Sequence, residues 1–201
     1  MTLLPRTSAL AALALVLAGA AAGVLPRAAA AEPRHHDGLY LRLGLGGGFA
    51  LATLSTTEDS TSKGANVATE LAVGKNVRPG LVVGVGTFPM IVPAPSYDGV
   101  DAGGQHISGT GPFVDWYRRP RGGLHLQAGV LFAAGYLGGS DDRDGKVGVG
   151  YGMMAGAGFD RYVAPRWSLG ALARVTAYRL YGVDDKIRLV SPSLLFTATY
   201  D

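Results

Sequence analysis

From Gly123 to Leu137 (GLHLQAGVLFAAGYL) the sequence alternates at period two without interruption. Leu124, Leu126, Ala128, Val130, Phe132, Ala134 and Tyr136 form one set, and His125, Gln127, Gly129, Leu131, Ala133, Gly135 and Leu137 form the other. Successive side chains of a strand point to opposite faces, so this stretch predicts a strand with one wholly apolar face and one small, polar or mixed face. It also covers the roughly 9–11 residues that a tilted strand needs to cross a hydrocarbon layer. A soluble strand fits the same letters, so the argument rests on whether the pattern repeats.

It does repeat. Leu39 to Leu54 sets Leu39, Leu41, Leu43, Leu45, Phe49 and Leu51 against Tyr40, Arg42, Gly44, Gly46, Gly48 and Ala50. Ala65 to Lys75 sets Val67, Leu71 and Val73 against Ala68, Glu70, Ala72 and Gly74, and Leu81 to Val92 resumes with Leu81, Val83 and Val85. In His106 to Arg118, Pro112, Val114 and Trp116 oppose Gly111, Phe113, Asp115 and Tyr117; proline removes a ladder donor, so a bulge is expected at Pro112. Lys146 to Arg161 carries Val147, Val149, Tyr151, Met153, Ala155, Ala157 and Phe159 on one face, and on the other mostly glycine, with Met154 and Asp160. Trp167 to Leu180 sets Trp167, Leu169, Ala171, Ala173 and Val175 against Ser168, Gly170, Leu172, Arg174 and Thr176. Arg188 to Tyr200 closes the series with Val190, Leu194, Phe196, Ala198 and Tyr200 against Ser191, Ser193, Thr197 and Thr199.

Eight strands follow, separated by connections that alternate long (55–63, 93–105, 138–145, 181–186) and short (76–80, 118–123, 162–166). An even strand count, alternating connection length and aromatic strand ends together predict an all-β fold, an eight-stranded antiparallel up-and-down transmembrane β-barrel. Trp116, Phe159, Trp167 and Tyr200 fall at the short-turn end, where an aromatic girdle is expected. Charge sorts the same way. Lys75, Arg78, Arg118, Arg119, Arg121, Arg161 and Arg166 lie at the short-turn end, and Glu58, Asp59, Asp98, Asp101, Asp141, Asp142, Asp144, Asp184 and Asp185 in the long loops. Basic turns suit anionic lipid headgroups.

The chain opens with Arg6, an apolar run from Ala9 to Leu25 and the small residues Ala29-Ala30-Ala31, the order of a secretory signal peptide. Cleavage after Ala31 is expected, leaving a barrel domain at 32–201. With Arg6 and Arg27 in the leader, 16 of the 18 basic residues stand against 15 acidic ones, so the net charge does not point to nucleic acid as a partner. The absence of cysteine excludes disulfides and a lipoprotein anchor. The 31 glycines suit a β protein with close approaches between strands.

On this layout the chain from Leu39 to Asp201 resembles the small eight-stranded outer-membrane β-barrel proteins, the group that includes OmpX, OmpW and the transmembrane domain of OmpA. The resemblance implies the outer membrane of a Gram-negative-type cell, contact with outer-membrane lipids and lipopolysaccharide, and insertion by the barrel-assembly machinery. Phe196, Ala198 and Tyr200 match the family's terminal aromatic spacing, with Asp201 following as a departure. A monomer is expected. Within such a fold three function classes remain open: a structural or surface-interaction barrel without catalysis, a narrow channel or transporter for small or apolar solutes, and a lipid A-modifying enzyme.

Candidate chemistry is sparse. His106 and Ser108 share a strand face in a spacing similar to the His-x-Ser of lipid A deacylases, but Asp115 alternates to the opposite face and leaves no acid to orient the base. Asp142-x-Asp144-Gly145 resembles the start of a calcium loop without its distal ligands, and His35-His36 has no third ligand nearby, so no metal and no cofactor are expected. Gly44 to Gly48 lies inside a strand and is read as space facing the lumen. The inward set instead predicts a polar network: Arg42, Glu70, Asp115 and Arg174, supplemented by His125 and Gln127, fall in the short-turn half of the barrel. An eight-stranded barrel is narrow enough for such side chains to meet across its axis. The opposite half, lined by Gly46, Gly48, Gly148, Gly150 and Gly152, is expected to form an outward-facing pocket.

Overall fold

The computed structural model describes residues 38–55, 60–97, 100–101, 103–119, 122–137, 146–182 and 186–201. The leader at 1–31, His35-His36, Arg121, and the loop acids Glu58, Asp59, Asp98, Asp141, Asp142, Asp144, Asp184 and Asp185 lie outside the described residues. Eight long strands are β1 (Leu39–Ser55), β2 (Ser60–Arg78), β3 (Leu81–Val92), β6 (Gln105–Tyr117), β7 (Leu124–Leu137), β8 (Lys146–Ala164), β9 (Trp167–Tyr181) and β10 (Lys186–Tyr200). Two short strands, β4 (Ser96–Tyr97) and β5 (Val100–Asp101), form a ribbon beside β2 in the connection before β6.

Each long strand pairs antiparallel with its sequence neighbour among the long strands, and β1 pairs with both β2 and β10, which closes the sheet. Closure is what a β protein in lipid requires, because an open edge would leave backbone N–H and C=O groups without partners in hydrocarbon. The alternation of the sequence maps onto the wall throughout. Leu45, Val85, Leu126, Val130, Phe132, Met153, Leu169, Leu194 and Phe196 point outward and are exposed, whereas Tyr40, Arg42, Phe113, Asp115, Leu131, Leu180 and Leu189 point into the lumen and are buried.

Two expectations about the strands are corrected. Ser60 already pairs with Leu54, so the connection between β1 and β2 is only residues 56–59 and the expected long loop at 55–63 is mostly strand. No bulge forms at Pro112: it pairs in register with Val85, and on the β7 side the ladder passes from Thr110↔Phe132 to Phe113↔Gly129 without a shift. A strand residue directs its backbone groups to one neighbour, so proline removes one rung there and leaves the other pairing intact. Pro192 repeats this, paired with Val175 while the β1 ladder passes from Gly48↔Ser193 to Leu51↔Val190. The register shifts that do occur lie at the short turns, between Asn76 and Arg78 and between Tyr162 and Ala164. At the first of these turns Gly80 adopts φ of 77°, a conformation that glycine takes without steric cost.

Candidate functional site

The lumen is filled in two chemically different halves. At the short-turn end, β1 brings Tyr40 and Arg42 inward, β6 brings Asp115 and Tyr117, β7 brings His125, β8 brings Asp160 and β10 brings Thr197 and Thr199, all buried. Arg42 is the hub. Its Nη1 lies 2.7 Å from Asp115 Oδ2, its Nη2 donates to Asp160 Oδ2 at 2.8 Å and to the Tyr117 hydroxyl at 2.8 Å, and its Nε donates to Thr199 Oγ1 at 3.0 Å. Tyr40 donates to Asp115 at 3.0 Å, Tyr117 to Asp160 at 2.9 Å, and Thr197 to the other Asp160 oxygen at 3.2 Å. His125 Nδ1 sits 2.7 Å from Asp115 Oδ1, and its Nε2 is 3.7 Å from Asp160. The imidazole stacks on Tyr117 with ring centroids 5.0 Å apart and occupies the space where Gly158 has no side chain.

A second layer lies nearer the middle of the barrel. Glu70 receives Arg174 Nη1 at 2.7 Å on one oxygen and Gln127 Nε2 at 2.9 Å on the other. The Arg174 guanidinium also lies 5.1 Å above the Phe88 ring. Buried charges in such a narrow space are costly unless each finds a partner, and here Arg42 and Arg174 both do.

The six lumen residues read from the sequence thus occupy one half of the barrel, but as two sets: Arg42, Asp115 and His125 in one, Glu70, Gln127 and Arg174 in the other. Tyr40, Tyr117, Asp160, Thr197 and Thr199 belong to the same network and were missed, although their inward parity was readable. Asp160 in particular stands on the glycine-rich face of β8, where counting glycines concealed it.

Among the described residues, the outer half is filled by side chains where an open pocket was expected. Phe88, Met90, Ile107, Leu131, Tyr178, Leu180, Ile187 and Leu189 are buried there, and several of them lie over glycines: Phe88 over Gly86, Tyr178 over Gly109 and Gly152, Ile107 and Leu180 over Gly135. A Cβ on Gly152 would come within 2.5 Å of Tyr178 Cδ1, and one on Gly109 within 2.8 Å of Tyr178 Cε1. At Gly148 and Gly152 the space is taken by Leu180 and Tyr178 of β9, whereas at Gly46, Gly48 and Gly150 a Cβ would run into the backbone of the adjacent strand.

On the outer wall, Trp116, Phe159 and Trp167 are exposed at the short-turn end, and Trp167 meets Tyr200 edge-on at 5.4 Å. Arg166 donates to the Tyr200 hydroxyl at 2.8 Å. The other rim carries exposed Tyr136, Tyr151 and Tyr181, a second aromatic belt absent from the sequence reading. His106 faces outward, and no described carboxylate pairs with it; Ser108 Oγ lies 3.3 Å from Thr87 Oγ1. Among the described residues no group of three or more His, Cys, Asp or Glu side chains is placed to hold a metal ion.

No family model matches the chain, and no curated protein matches it. Solved structures do. Neisserial surface protein A is similar over 82% of this chain and 97% of its own, with a TM-score of 0.51 and 16% identity. The outer-membrane protein OprG from Pseudomonas aeruginosa is similar over 84% of this chain and 98% of its own, with a TM-score of 0.51 and 10% identity. At such identities the likeness carries the fold: the chain is a closed eight-stranded barrel of the kind built by small outer-membrane proteins.

Proposed function

We propose that this protein is a monomeric integral barrel of the outer membrane, exported behind a cleaved leader at 1–31, with a structural or surface-interaction role and no catalytic activity. The filled lumen carries this reading. The Arg42 and Arg174 layers occupy one half and the Phe88–Tyr178 group the other, so the wall is a rigid support for its outer rim rather than the lining of a solute path. The His106–Ser108 pair lacks a described carboxylate to orient the histidine, which argues against lipid A hydrolysis.

The short turns and both barrel ends of the chain then face the periplasm. Cysteines introduced at Ser60 and Asp142 label with an impermeant reagent in intact cells, and one at Arg121 does not. The protein is expected in the outer-membrane fraction, migrating differently before and after boiling, with the mass of lipid A unchanged. Labelling at Arg121 alone inverts the topology, and loss of an acyl group from lipid A contradicts the non-catalytic role.

A further inference from the structure

The outer wall of β8, β9 and β10 carries a charge arrangement that the filled lumen does not explain. Arg179 on β9 pairs directly across from Arg188 on β10, and on its other side from Tyr151 on β8. Two like charges directly opposite on one sheet face are destabilising. Neither guanidinium is paired with a carboxylate among the described residues, and Arg179 Nε is buried without a hydrogen-bond partner. The Arg179 guanidinium lies 5.6 Å over the Tyr181 ring, and the Tyr151 and Tyr181 hydroxyls are 3.4 Å apart beside it. Tyr151, Met153, Arg179, Arg188 and Val190 line a cleft of about 320 Å³. An anion seated between the two arginines turns their repulsion into attraction and gives Nε an acceptor. A tetrahedral phosphate suits the forked donors of arginine and leaves oxygens for the tyrosine hydroxyls.

The same face continues into an apolar trough. Along β9, Arg179 is followed toward the middle of the wall by Ala177, Val175 and Ala173. Their neighbours are Met153 and Ala155 on β8 and Val190, Pro192 and Leu194 on β10. Phe49, Ala155, Ala173, Val175, Pro192 and Leu194 line a shallow, open hollow of about 680 Å³. Ala155 and Ala173, with Gly48 and Gly156, are the small residues of its lining, between the larger Phe49, Val175 and Leu194. At about 3.4 Å per residue, the strand from Arg179 to Ala173 covers roughly 20 Å, more than half of a ~30 Å hydrocarbon core. The cationic cleft and the apolar hollow therefore lie one after the other along the same outward face, over a distance comparable to an acyl chain, on the wall that faces lipid.

We propose that this face is a binding site for a phosphorylated, acylated membrane lipid, whose phosphate is held by Arg179 and Arg188 with the tyrosine hydroxyls and whose acyl chain lies in the apolar trough. The site rests on the outer-membrane reading given above, since the groove must face lipid. At the rim opposite the short turns the occupant is lipid A, whose phosphomonoester carries more negative charge for two adjacent arginines than the phosphodiester of a glycerophospholipid.

The test is titration of the detergent-purified full chain with lipid A, and separately with phosphatidylglycerol, read by native mass spectrometry, with the heat-modifiable gel shift verifying the fold of every variant. One lipid A is retained per barrel and is held more tightly than phosphatidylglycerol; tighter retention of phosphatidylglycerol overturns the assignment to lipid A. Arg179→Ala with Arg188→Ala weakens retention by about tenfold or more, the loss of charge-assisted hydrogen bonds. Ala173→Phe, which fills the trough without touching the charges, weakens it as well, whereas Arg118→Ala with Arg119→Ala at the opposite end leaves it unchanged. Equal retention by the double arginine variant, or none by the folded unmutated protein, overturns the site while leaving the barrel intact. A chain with no folded, heat-modifiable form contradicts the barrel reading and this site with it.

Discussion

Arg42 and Asp115 stand 2.7 Å apart inside the barrel with no side-chain surface exposed on either, joined from strands β1 and β6 that are not neighbours in the wall. The pair ties opposite parts of the barrel together. Arg42→Ala strands Asp115 and Asp160 as buried carboxylates and is expected to cost about 3–5 kcal/mol, the usual penalty for removing one member of a buried pair. Arg42→Met combined with Asp115→Asn and Asp160→Asn removes the charges together, keeps acceptors for Tyr40, Tyr117, Thr197 and His125, and recovers part of that loss. Urea unfolding of the reconstituted protein measures both; equal destabilisation by the single and the combined variants contradicts the pairing account.

The middle layer behaves as a separate unit. Arg174→Met leaves Glu70 with only Gln127 as a donor, and Glu70→Gln leaves Arg174 with an amide in place of a carboxylate. The double variant is expected to lose less than the sum of the two single changes, with a coupling of about 0.5–3 kcal/mol in a double-mutant cycle. The cycle between Arg174 and Asp115, which share no hydrogen-bond partner among the described residues, should show little coupling.

Glycine on the inner faces answers to bulk on other strands. Gly152→Ala places a methyl group against the Tyr178 ring and is expected to cost about 1–3 kcal/mol through overpacking. Tyr178→Leu removes that conflict, so the double variant is less destabilised than the sum of its parts. Additive losses show that Gly152 matters for some other reason.

Lipid exposure of the outward set is tested by charge. Val130 is 63% exposed and Phe132 68%, both on the outer face of β7. Arginine at either, near the midplane, is expected to cost roughly 2–4 kcal/mol, while arginine at Leu124 near the short-turn rim costs far less. Unchanged insertion and unfolding of Val130→Arg makes the outward face a solvated one.

The difference between what was legible and what was not follows from which neighbours each inference needed. The side to which each residue points is a property of one strand alone, so the outward faces of β1, β7 and β9 and the inward positions of Arg42, Glu70, Asp115 and Arg174 could be read along the chain. Which inward residues meet depends on the stagger between strands, and it separated Arg42 from Arg174 into different layers. The same dependence misled the reading of Gly148, Gly150 and Gly152 as an open pocket, because the occupants Tyr178 and Leu180 come from β9. Pro112 was expected to bulge on the strength of its missing donor, whereas a closed wall absorbs the loss of one rung without changing register.

Conductance of the purified protein in planar lipid bilayers tests the filled lumen most directly. With the Arg42 network, the Glu70–Arg174 layer and the Phe88–Tyr178 group all in place, the unmutated barrel shows no steady conductance. Arg42→Ala, Arg174→Ala and Tyr178→Ala together open a path and raise it. Large, stable channels from the unmutated protein contradict a filled lumen and make solute passage its function.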